Sequence, residues 1–143
     1  DSMIHAEEGF FESLSRFPFS TYINVGLESN DPGTLEALKK PVFVEKIREA
    51  FARILEINRG DEKIEVTSNF VFGADLPSGH MRSLSDLTRN RVNLITNKGA
   101  VYLSPLVDER IREKESRREL LRRFLKLKTE SRLPAFIYLI QKL

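Results

Sequence analysis

Two stretches with the period-two pattern of β-strands, residues 21–27 and 63–73, flank a stretch with the periodicity of an amphipathic helix, and no other feature constrains the fold as strongly. In the first, Ile23, Val25 and Leu27 alternate with Tyr22, Asn24 and Gly26; in the second, Ile64, Val66, Phe70 and Phe72 share one face. Between them Val44, Ile47, Phe51, Ile54 and Leu55 recur at the spacing that lines one side of a helix. A strand, a helix of ten or more residues and a second strand imply a right-handed crossover and parallel pairing. A third short strand is expected at 100–103, before Ser104-Pro105, after a helix over 81–92.

The rest of the chain supplies further helices and their punctuation. Residues 3–17 carry Ile4, Phe10, Phe11 and Leu14 at helical spacing and stop before Pro18. Asn30-Asp31-Pro32-Gly33 is turn chemistry, with Asp31 placed to cap a short helix that begins at Pro32 and runs through Leu38. Residues 74–80, with Pro77 and Gly79, read as a loop. Residues 108–128 read as a long charged helix, with Leu121, Phe124, Leu125 and Lys128 as its buried stripe, and 133–143 as a short apolar helix starting near Pro134. The fold class is therefore α/β with a parallel sheet. Three strands are few for a doubly wound sheet and too few for a closed eight-stranded barrel, so the chain reads as half of something larger. Its start at Asp1 rather than at a methionine fits that expectation.

Composition removes several classes of function. With no cysteine the chain has no disulfide, no thiolate nucleophile and no thiolate ligand for zinc or an iron-sulfur cluster. Basic residues number 23 against 21 acidic, a net charge of +2, so no general attraction to nucleic acid is implied. No apolar run reaches the length of a membrane span and the first residues show no basic stretch followed by an apolar one; a cytoplasmic protein with no membrane partner is expected. His5 and His80 stand far apart without a carboxylate cluster at metal-ligand spacing, and neither a nucleophile elbow nor a GxxxxGK[ST] loop occurs.

Residues 22–41 read YINVGLESNDPGTLEALKKP and residues 66–80 read VTSNFVFGADLPSGH. These two stretches, with the helix between them, resemble the radical S-adenosylmethionine (radical SAM) family over roughly 19–87, the first more specifically than the second. The resemblance implies the C-terminal half of a partial (β/α) barrel over 1–107, with 108–143 as a C-terminal helical extension. It also implies an enzyme that binds S-adenosylmethionine beside a 4Fe-4S cluster. The cluster's CxxxCxxC loop is missing, so its ligands are expected in an N-terminal half outside these residues, and the chain alone is expected to be inactive and either self-associated or poorly stable. A family member that has lost its cluster is the alternative.

Ligands of parallel sheets bind at the carboxyl ends of the strands. Here those ends are Glu28-Ser29, Gly73-Ala74 and Ser104; Asn24, Gly26 and Glu28 share one strand face, as do Thr67, Asn69, Val71 and Gly73. By the resemblance, Glu28 and Ser29 are candidates for the ribose or methionine side of S-adenosylmethionine and Asn69 and Gly73 for the adenosine side, with Asn24 and Gly26, which face the same cavity, as further cofactor-binding candidates. Plainer roles stand beside these: Glu28 as a helix cap, Asn69 as partner of a buried backbone group, the glycines as packing or turn residues. A non-enzymatic reading also stands, in which the basic helix recruits RNA or a protein through Arg117, Arg118, Arg122 and Arg123. Glu113, Glu115 and Glu119 lie among these bases, so pairing within the helix is available.

Overall fold

The computed structural model describes residues 8–73, 76–89, 98–105, 114–130 and 137–139. In chain order the elements are α1 (Glu8–Ser15), β1 (Thr21–Glu28), α2 (Pro32–Ala37), α3 (Val44–Gly60), β2 (Ile64–Phe72), α4 (Ser78–Arg89), β3 (Val101–Pro105), α5 (Lys114–Glu130) and β4 (Ile137–Leu139). The period-two stretches are strands and the stretch between them is α3. Asp31 caps α2 as its position suggested, its side chain accepting from the Thr34 N–H, with Pro32 opening the helix.

Every pairing is parallel, and the strand order is β1-β2-β3-β4. The order follows the sequence, without the reversal that marks a doubly wound sheet. Three strands were expected; β4 adds a fourth of only three residues beside β3. It also corrects the reading of 133–143 as a helix, because Ile137–Leu139 is extended and in register with Val101–Leu103.

One hydrophobic cluster holds the helices to one sheet face. Leu27, Ile64, Val66, Phe70, Phe72, Val101 and Leu103 meet Phe11 of α1, Ile47, Phe51 and Ile54 of α3, Leu84 of α4 and Leu127 of α5. Phe70 lies edge-on to Phe51 at 6.2 Å and Phe72 edge-on to Phe124 at 6.5 Å. The α5 stripe therefore runs through Leu120, Phe124 and Leu127, while Leu121 and Leu125 are exposed, a correction to the expected stripe. α5 thus belongs to the same core as β2. Helix α4 begins at Ser78, so His80 sits in a first helical turn rather than in a loop.

The other face of the sheet is different in kind. Along β1, Tyr22, Asn24 and Gly26 are exposed, while Leu27 on the helix side is buried. Tyr22 stands opposite Glu65 and Tyr102 opposite Asn69, on either side of β2. Their hydroxyls meet at 2.7 Å, above Thr67, which lies between those two positions and is fully buried. This clasp lies over the amino half of the face; toward the carboxyl half Asn24 and Gly26 are exposed, Asn69 and Ser104 are half-buried and Val71 is buried. No helix among the described residues is long and apolar enough to cross a membrane.

Candidate functional site

The carboxyl half of the open face gathers polar groups from three strands. Gly26 pairs with Asn69, and Val71 with Ser104, so Asn24, Gly26, Asn69 and Ser104 occupy one face by register. The Ser104 hydroxyl donates to Asn69 Oδ1 at 2.7 Å, so the Asn69 carboxamide meets a side chain rather than a buried backbone group. Gly73 is buried just past the end of β2.

Glu28 reaches the same place by an irregular route. The β1–β2 register slips between Gly26 and Glu28. The Ser29 N–H donates to Leu27 O at 2.8 Å, a three-residue turn centred on Glu28, whose φ is 65°. That is the rare, strained form of the γ-turn, in the left-handed region that costs a residue with a side chain about 1–2 kcal/mol. The turn lays the carboxylate over Gly26, where a Cβ would stand only 3.0 Å from Glu28 Oε1. A side chain at position 26 would displace the Glu28 carboxylate by a few tenths of an ångström. Lys40 Nζ donates to Glu28 Oε1 at 3.1 Å, and Oε2 has no hydrogen-bond partner among the described residues. The cap of α2 is Asp31, which leaves Glu28 free of that role.

Ser29 is held inside the protein. It is fully buried; its Oγ accepts the Asp31 N–H at 3.0 Å and lies 2.8 Å from His80 Nδ1. His80, also fully buried, places Nε2 at 2.8 Å from the Val71 carbonyl. A carbonyl only accepts, so Nε2 carries the ring proton and Nδ1 is left as the acceptor of the Ser29 O–H. Asn24, Gly26 and Asn69 share this face and the Glu28 carboxylate lies over Gly26, whereas Ser29 and Gly73 are buried; no local sequence pattern points to Lys40, to the tyrosine clasp or to His80.

Burial holds the His80 imidazole below its ordinary value of 6.5, opposed by its bond to Val71 and by the Asp31 carboxylate. A depressed histidine contributes stability above the unfolded value and loses it as pH falls through the folded one. Below pH 6.5 the unfolded chain takes up a proton that the folded chain resists, so stability should drop by up to about 1.4 kcal/mol per pH unit until the folded pKa is passed. Urea unfolding at about pH 7.5 and about pH 5.5 checks this against His80→Gln, which keeps the carboxylates common to both proteins. Equal losses in the two proteins would remove His80 as the source.

Other sites are weaker. No group of three His, Asp or Glu side chains that could hold a metal occurs among the described residues. A cleft of about 620 Å³ between α2 and α3, lined by Leu35, Val42 and Phe43 among others, is open and mostly apolar. On α5, Glu119 accepts from Arg122 Nη1 at 2.6 Å and from Arg123 Nε at 3.0 Å, the pairing within the helix that the spacing offered. Comparison with family models, with curated proteins and with solved structures finds no match to this chain.

Proposed function

We propose that this chain is the C-terminal part of a radical SAM barrel and that the carboxyl half of its open sheet face receives S-adenosylmethionine. The observation that carries the proposal is Glu28: a strained turn folds its carboxylate over a glycine on an exposed face, at the carboxyl ends of parallel strands. Strain kept at a residue other than glycine, with no gain in apolar packing, suits a binding group better than a structural one. Among the described residues, a parallel sheet with helices packed on one side and Asn24, Gly26, Asn69 and Ser104 along the other is also consistent with a segment of barrel wall.

The residues fit such a guest. Glu28 Oε2 is available to accept from vicinal hydroxyls or from an ammonium group, Asn24 is exposed beside it, and Gly26 leaves room for close approach. Asn69 and Ser104 continue the polar surface toward the adenosine side. Ser29 has its hydroxyl committed within the fold and serves by shaping the turn. In this family S-adenosylmethionine supplies radical chemistry once a reduced cluster stands beside it. These residues do not fit the cluster itself, because the chain has no cysteine, so its ligands would come from a preceding half of the barrel.

Titration of the chain with S-adenosylmethionine, followed by amide NMR, tests the proposal. Shifts should concentrate at Asn24–Glu28, Asn69 and Ser104. Glu28→Gln should weaken binding about tenfold, the loss of one charge-assisted hydrogen bond. Glu28→Gly should abolish that contribution while raising stability by about 0.5–1 kcal/mol, because glycine accepts the left-handed turn without strain. Binding that ignores both substitutions, or shifts confined to the other side of the sheet, would sink the proposal.

A further inference from the structure

We infer that His80 is a positioning residue for the Glu28 carboxylate, acting through Ser29. The inference rests on the ligand site proposed above and adds to it a device that holds the site open. Ser29 immediately follows the strained turn, and its N–H closes that turn on Leu27 O. Its hydroxyl hydrogen-bonds the end of β1 to the first turn of α4, 51 residues away, and is fully buried. The directions of the bonds are fixed by chemistry: the Asp31 N–H donates to Ser29 Oγ, the Ser29 O–H donates to His80 Nδ1, and His80 Nε2–H donates to Val71 O.

Register explains why the link is needed. Pairing of β1 with β2 ends at Glu28 and Phe70, one residue before Val71. The sheet ladder therefore stops holding β1 where its backbone turns left-handed. His80 takes over there, accepting from β1's continuation on one ring nitrogen and donating to β2 on the other. The imidazole spans the gap that the bulge opens, and a chain held at Ser29 cannot relax Glu28 back to an extended conformation without breaking a buried bond. Gly79 lets α4 come this close, since a Cβ there would overlap Asp31 Oδ1.

Three substitutions in the full chain separate positioning from plain stability. Ser29→Ala removes the link. His80→Asn keeps an acceptor for Ser29 and gives up Val71; His80→Gln keeps a donor for Val71 and gives up Ser29. The Glu28 amide and carboxyl resonances, read without ligand, should move in Ser29→Ala and His80→Gln and stay near wild type in His80→Asn, although both histidine variants lose stability. With S-adenosylmethionine as probe, affinity should fall about tenfold in the first two and remain within about threefold in the third. The inference is overturned if Ser29→Ala leaves Glu28 where it is, or if the Asn and Gln variants move it alike. A wild-type chain that does not respond to S-adenosylmethionine overturns the ligand proposal alone, because the ligand-free Glu28 resonances still decide the positioning.

Discussion

Replacing Phe70 with alanine is expected to destabilise the protein by about 3–5 kcal/mol, the usual range for removing a buried phenylalanine. Phe70 is fully buried in the carboxyl half of β2, edge-on to Phe51 of α3 and in register with Leu103 of β3. Among the described residues the helices pack through one apolar cluster on one face of this sheet, and Phe70 belongs to that cluster. A domain of this kind has a total stability on the order of 5–15 kcal/mol, and the substitution takes a large part of it. The contact with Phe51 fixes a ring on each side of the helix–sheet junction, and neither neighbour can collapse into the space without moving its own element. Phe43 provides the comparison: it is 78% exposed at the start of α3, and Phe43→Ala should change stability by no more than about 0.5 kcal/mol. Urea unfolding of both variants with unchanged slope reads the two numbers directly. If they came out alike, β2 would not be the centre of the core.

The parts of this fold that a reader of the sequence can find are those whose signal is local. Ile23, Val25 and Leu27 announce β1 because alternate side chains go to opposite faces, and the same rule puts Asn24 and Gly26 on the face where they are found. Asp31-Pro32 announces the start of α2, because a carboxylate before a proline satisfies an N–H that the helix leaves bare. The run Phe136-Ile137-Tyr138-Leu139-Ile140 is ambiguous in principle: apolar in every direction, it fits a buried helix or a buried strand, and only the vacant edge of β3 decides for the strand. On α5 the adjacent leucines at 120 and 121 allow two phases of the stripe, and Phe72 selects the one containing Phe124.

The candidate site divides the same way. Which polar residues share a face was legible; what holds them in place was not. The bulge at Glu28 leaves no mark in the alternation, since Gly26 and Glu28 would fall on one face of an unbroken strand as well. Ser29 with His80, and Tyr22 with Tyr102, join residues 51 and 80 apart, and no local pattern encodes such pairs. A histidine in the first turn of a helix reads as nothing in particular until the strand end it faces is known.

Asn58 makes the same point with the second large effect. It lies on α3 among the residues of the amphipathic face, is 4% exposed, and looks like a polar interruption near the helix end. Its carboxamide grips both backbone groups of Val66: Nδ2 donates to Val66 O at 2.7 Å and Oδ1 accepts the Val66 N–H at 2.7 Å. β3 reaches β2 only from Ser68 onward, so Val66 lies before the third strand begins. The side chain acts there as one residue's worth of neighbouring strand. Asn58→Ala leaves a donor and an acceptor buried without partners, at about 1–3 kcal/mol each, so a total loss of about 2–6 kcal/mol is expected. Asn58→Leu should be no better, although it restores apolar volume, because the cost comes from the unpaired amide and carbonyl rather than from a cavity. Asn58→Asp keeps the acceptor but turns a donor toward Val66 O into a second oxygen, and should be at least as damaging at neutral pH as the alanine. Hydrogen exchange at the Val66 amide gives the decisive reading. Its protection should collapse in all three variants while that of Phe70 falls only as far as global stability does; if Val66 instead keeps its protection in Asn58→Leu, packing rather than hydrogen bonding holds this end of the sheet.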